Sequence, residues 1–229
     1  MNDEERLGYA VSHTEILRPP RQVLATFGVT NINYYLLTRP AYAGEEEAET
    51  VVRMGRVIAN RPRIVTPYYL SRLDGFSLDA RRYFQTLIES HGPDTPGIFY
   101  TYRNEPQGLD IVSESMKDVL AKINAEIEGR KDPLAAIIKG EDELWDVSLM
   151  KFIFDMTNSS VGNNLMELQS QGLLRVDSSG VPVEARLRIE EMFRRLKHGE
   201  IEPRELKDEL EHWGLFEEYQ DRFLAVFRH

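Results

Sequence analysis

An α+β protein is what the sequence predicts, with a mixed α/β region over residues 1–130 and a mainly helical region over residues 131–229. Three observations carry that reading. Before residue 113, β-branched and aromatic strings alternate with short helical patterns; beyond Pro133 apolar residues recur at three- and four-residue spacing; and Gly129-Arg130-Lys131-Asp132-Pro133 joins a helix stop to a helix start.

Leu17-Arg18-Pro19-Pro20-Arg21 opens the first region as extended chain, because two prolines fix φ and remove donors. Asn31–Thr38 reads as a strand closed by Arg39-Pro40, and the acidic run Glu45–Glu49 as solvated. Thr50–Ala59 is a second strand with arginines on both faces, whose Gly55 signals a bulge or a close backbone approach. Ile64-Val65 makes a short strand. Thr66-Pro67 then starts a short helix through Leu73, with threonine as cap and proline at the first helical position. Ser77 caps another helix, carrying Ala80, Phe84, Leu87 and Ile88 and ending at His91-Gly92. Gly97–Arg103 reads as one strand ending in an Arg103–Pro106 turn, and Leu109–Val112 as a short strand before a helix with Met116, Val119, Leu120, Ile123 and Ile127 on its apolar stripe.

In the second region Leu134, Ile137 and Ile138 suggest a first helix, and Leu149, Phe152, Ile153 and Met156 a second, with Thr157-Asn158-Ser159 as the turn. A third helix follows, with Val161, Leu165 and Leu168 inward and Ser160, Asn163, Asn164, Glu167 and Gln171 outward. Leu173–Val176 and Asp177–Gly180 give a strand and a tip. On these residues, 132 to 198 resemble a winged helix-turn-helix module. The resemblance implies that the third helix enters the major groove, with Ser160, Asn163, Asn164, Gln171 and Arg175 toward nucleic acid. The chain departs from the pattern in placing Glu167 on that face and Pro182 in the wing. Beyond it, Ala185, Ile189, Met192, Phe193 and Leu196, then Leu206, Leu210 and Trp213, then Phe216, Tyr219, Phe223 and Val226 form three further helical stripes. Such a tail packs on its own domain or makes a homodimer.

Composition narrows the chemistry. With no cysteine among 229 residues, thiol nucleophiles and zinc ribbons are excluded, and a reducing, cytoplasmic setting is compatible. No stretch reaches the length of a membrane span. The net charge of −10 argues against a generic polyanion binder, although residues 1–110 are nearly balanced, with 12 Arg against 14 acids. His13, His91, His198, His212 and His229 form no helical metal pair, no P-loop, dinucleotide or nucleophile-elbow motif occurs, and no cofactor is expected. Nine of ten tyrosines precede residue 103. With Arg18, Arg21, Arg53, Arg56, Arg61, Arg63 and Arg103, tyrosines such as Tyr68, Tyr100 and Tyr102 would suit an anionic ligand, since guanidinium forks grip phosphate or carboxylate and phenol rings stack on bases. The competing explanation is that these tyrosines pack in strands and the arginines pair with acids.

The expected function is thus a two-domain regulator that uses the winged-helix-like module on duplex DNA or a protein partner. The alternatives are an enzyme or binding protein for a nucleotide or other anion, and a non-catalytic interaction module.

Overall fold

The computed structural model describes residues 3–42, 49–73, 86, 88–90, 92–93 and 95–227. In chain order these form α1 (Asp3–Ser12), β1 (Glu15–Arg18), β2 (Thr30–Thr38), β3 (Thr50–Ala59), β4 (Arg63–Val65), α2 (Pro67–Ser71), β5 (Gly97–Phe99) and β6 (Tyr102–Val112). There follow α3 (Met116–Arg130), β7 (Ala135–Lys139), α4 (Trp145–Ser170), α5 (Val183–Lys197), α6 (Pro203–His212) and α7 (Phe216–Ala225). A mixed α/β portion is therefore followed by an all-helical stretch, the class that the sequence predicts. The helix expected from Ser77 to His91 and the run Glu45–Glu47 lie largely outside the described residues. Among the described residues no helix is long and apolar enough to cross a membrane.

Two compact units form, each discontinuous in sequence: residues 1–61 with 100–164, and residues 62–99 with 165–229. The first is a five-stranded mixed sheet in the order β1-β7-β2-β3-β6. Strands β2, β3 and β6 run as an antiparallel meander, β7 lies parallel to β2, and β1 is antiparallel to β7. One face buries Ile32, Tyr34, Leu36, Val57, Ala136 and Ile138 under Leu149, Phe152, Ile153 and Met156 of α4. The other buries Leu37, Val52, Ala135 and Ile137 under Val119, Ile123 and Ile127 of α3. Period-two alternation in the strands and period-3.6 spacing in the helices meet on both faces, each large side chain removed from water contributing roughly 1.5–3 kcal/mol. Gly55 fulfils both sequence signals. The register of β3 with β6 shifts between Met54 and Gly55, and a Cβ at Gly55 would collide with the Tyr34 ring lying across it.

Several sequence expectations are corrected. The boundary near residue 131 does not divide the units, because β7 beyond it is an interior strand of the first sheet. Leu134, Ile137 and Ile138 do not start a helix. Ala135 to Ile138 are all at most 2% exposed, and a short apolar run covered on both faces suits a strand as well as it suits a helix by spacing alone. Thr157-Asn158-Ser159 is not a turn either, since α4 runs unbroken through it. The hydroxyls that signalled a turn bond back to the helix itself: Thr157 Oγ1 donates to Ile153 O at 2.6 Å, and Ser159 and Ser160 Oγ donate to Met156 O at 2.8 and 2.7 Å. The three-helix arrangement on which the winged-helix resemblance rested is accordingly not formed by residues 132–170.

Gly97–Arg103 is likewise two strands in two sheets, and the Arg103–Pro106 segment lies within β6 rather than in a turn. Proline is accepted there because β6 is an edge strand with a bulge beside Pro106.

The second unit pairs β4 with β5 and packs α2 with α5, α6 and α7 around Ala185, Ile189, Phe193, Leu206, Leu210 and Trp213. The three C-terminal stripes are its buried face, as read from their spacing. Thr66 caps α2 by accepting from Tyr69 N at 3.3 Å, with Pro67 at the first helical position. The expected wing reduces to an isolated Val176–Pro182 bridge around a turn, where Asp177 Oδ1 accepts from Ser179 N at 2.8 Å and Val181 N at 3.0 Å.

Candidate site at the carboxyl rim of the sheet

The arginines and tyrosines singled out in the sequence do not converge. Arg18 and Arg21 both pair with Glu128 of α3, and Arg103 pairs with Glu105 at 2.8 Å. Arg56 donates to Asn33 Oδ1 at 3.2 Å on the α3 face, whereas Arg53 lies on the α4 face over Trp145. Arg61 stacks near Phe27, while Arg63 and Tyr68 belong to the second unit, where Tyr68 lies under Arg72. Tyr100 and Tyr102 are half-buried against α4, their hydroxyls meeting Asn164 and Thr157; burial pushes both phenols above their ordinary 10.0.

Nor do the expected base-reading residues share an outward face. Asn163, Gln171 and Arg175 are exposed, but Ser160 and Asn164 are fully buried. Ser160 Oγ accepts from Leu24 N at 3.0 Å. The Asn164 amide satisfies all its neighbours when its nitrogen donates to Leu24 O at 2.9 Å and its oxygen accepts from Tyr100 Oη at 3.1 Å. These two polar side chains continue the inward stripe of α4, because Leu24, Thr26 and Tyr100 supply their hydrogen bonds inside the first unit.

A buried charge cluster in the second unit is fully occupied with itself. Glu209 Oε1 accepts from Arg188 Nε and Trp213 Nε1, each at 3.0 Å, and Glu209 Oε2 accepts from Tyr69 Oη at 3.1 Å. Arg188 also donates to Glu184 Oε2 at 3.1 Å, which in turn accepts from Ile64 N at 3.3 Å. Burial would raise the Glu209 carboxyl, yet the Arg188 charge and hydrogen bonds outweigh it and hold the group below its ordinary 4.5; burial beside Glu209 pushes Tyr69 up to about 12. Every charge here has its partner, so the cluster ties α2, α5 and α6 together rather than awaiting a ligand.

The first unit offers a different arrangement. Strands β2, β6 and β7 all point the same way, so their carboxyl ends share one rim with the start of β1 and the first turns of α3 and α4. On the α3 side lies a cleft of ≈ 510 Å³ lined by Leu17, Met116 and Leu120 and edged by Glu15, Arg39, Lys117, Lys139 and Glu141. A second hollow of ≈ 280 Å³ adjoins it, sharing Arg39 and Glu141 and adding Arg6, Tyr9, Asp142 and Glu143.

A clasp beneath the rim sets its shape. Asp142 Oδ1 accepts from Arg53 Nη1 and Thr38 Oγ1, both at 2.7 Å, and Asp142 Oδ2 accepts from Ala41 N at 3.3 Å. Burial alone would raise the Asp142 carboxyl; the hydrogen bonds from Thr38 and Arg53 and the Arg53 charge prevail and hold it below its ordinary 3.8. The clasp fixes the Arg39-Pro40-Ala41 turn against the β7–α4 connection. Gly140 belongs to the same fit, because a Cβ there would strike Ser148 of α4.

Most charged side chains around the two hollows are paired. Lys139 pairs with Glu15 at 3.1 Å, Asp142 with Arg53 and Glu143 with Arg6 at 3.3 Å. Among the described residues Arg39, Lys117 and Glu141 have no ion-pair partner. None of them was singled out in the sequence. The rule that functional polar groups sit at strand ends reaches Arg39 once Arg39-Pro40 is read as the end of β2. Lys139 ends β7 and Glu141 follows it, so neither is legible as a strand-end residue while that apolar run reads as a helix by spacing. Among the described residues no group of His, Asp or Glu side chains is arranged to hold a metal ion. Comparison with protein families, curated proteins and solved structures finds no match to the chain.

Proposed function

We propose that the chain is a binding protein for a small anionic ligand with an apolar body, held in the carboxyl-rim cleft of the first unit. The observation that carries this reading is that Arg39 and Lys117, which have no ion-pair partner among the described residues, line one cleft with the apolar Leu17, Met116 and Leu120. Concave sites of a few hundred Å³ with an apolar lining and few polar anchors are the usual form of small-molecule pockets. Met116 and Lys117 come from the first turn of α3, whose dipole adds positive potential at the same edge. The expected cytoplasmic setting belongs to the same proposal and is supported by the cysteine-free composition.

The test is a ligand-observed NMR screen of small carboxylates and phosphates against the full chain and an Arg39→Gln/Lys117→Gln variant. Binders should carry an apolar body, and the double variant should weaken them by about tenfold or more, the loss of roughly one charge-assisted hydrogen bond. Equal binding to both proteins, or no binder in the screen, would remove the proposal.

A further inference from the structure

We infer that the ligand of this cleft is a zwitterion, whose anionic group meets Arg39 and whose ammonium meets Glu141, with its apolar body on Leu17, Met116 and Leu120. The inference rests on the cleft reading above and sharpens it. Its basis is one carboxylate: Glu141 is half-buried, lines both hollows together with Arg39, and has no cation within ion-pair distance among the described residues.

The neighbouring cations do not answer Glu141. Lys139 is held by Glu15, Arg53 by Asp142 and Arg6 by Glu143. Arg39 shares both hollows with Glu141 and yet does not pair with it, so opposite charges face one space without neutralising each other. A ligand bearing only negative charge would bring its anion beside a partly desolvated carboxylate, which is repulsive in that setting. A ligand carrying both signs answers each group with its opposite. Lys117, which also lines the larger cleft, is a second cation for the anionic group. The chemical class is therefore an amino-acid-like zwitterion with an apolar side chain.

Three matched probes separate the terms: L-phenylalanine, 3-phenylpropanoate, which lacks the ammonium, and 2-phenylethylamine, which lacks the carboxylate. Their affinities are measured by NMR titration of the full chain, of Glu141→Gln and of Arg39→Gln, with circular dichroism to show that each variant is folded. L-phenylalanine should bind about tenfold more tightly than either partial probe. Glu141→Gln should bring it down to the level of 3-phenylpropanoate, and Arg39→Gln to the level of 2-phenylethylamine. If 3-phenylpropanoate binds as tightly as L-phenylalanine and tightens further with Glu141→Gln, the zwitterion is overturned and the plain anion site stands. Binding of all three that ignores both substitutions, or no binding of any probe at about 10 mM, overturns the zwitterion; in either case the wider anion screen decides the cleft separately.

Discussion

Replacing Glu209 by alanine takes away the one carboxylate that Arg188, Trp213 and Tyr69 share. The side chains of Glu209, Glu184 and Arg188 are 5%, 1% and 13% exposed, so water cannot compensate, and Arg188 is left with Glu184 alone. Breaking a buried pair from one side costs about 3–5 kcal/mol. At about 2–4 °C per kcal/mol for a chain of this size, the melting temperature should fall by roughly 6–20 °C. Urea denaturation followed by the fluorescence of Trp213, with Trp145 replaced by phenylalanine in every protein compared, isolates the event. Glu209→Gln keeps an acceptor for Trp213 and should lose less than Glu209→Ala. An alanine variant within about 1 kcal/mol of its parent would refute the reasoning, because a buried charge cannot lose its partner so cheaply. The pH dependence has a defined sign. Since Glu209 titrates below 4.5 when folded, its contribution is complete above that pH and is lost as pH falls through the lower folded value, so the gap between parent and Glu209→Ala should narrow in acid.

Tyr69 makes the alkaline counterpart: with a folded pKa of about 12, its stabilising contribution is complete below 10.0 and declines from there to about 12, and absorbance titration should show one tyrosine ionising last, a signal that Tyr69→Phe removes. Gly140→Ala should destabilise the first unit by about 1–3 kcal/mol, because the new methyl meets Ser148 in packed surroundings; a thermal melt unchanged from wild type would contradict that fit. Asn164→Ala strands Tyr100 Oη and Leu24 O in the interior and should cost about 1–3 kcal/mol by chemical denaturation, whereas a base-reading residue would be removable without loss of stability.

The local chemistry of the sequence determined much of this protein. The strands around Tyr34 and Gly55, the Thr66-Pro67 cap, the stripe from Met116 to Ile127 and the three C-terminal helices were legible because period and capping act through neighbouring residues. Tertiary structure alone decided the rest. Ala135–Lys139 became a strand because β1 and β2 flank it and helices cover both its faces. Thr157, Ser159 and Ser160 stayed helical because their hydroxyls bond within α4, and Ser160 and Asn164 turned inward because Leu24, Thr26 and Tyr100, distant in sequence, meet their polar atoms. The candidate site follows the same logic. Arg39, Lys117 and Glu141 come from three separate segments, and only the shared direction of β2, β6 and β7 brings their ends to one rim, since pairing between distant strands is set by what each buries and not by the residues beside it.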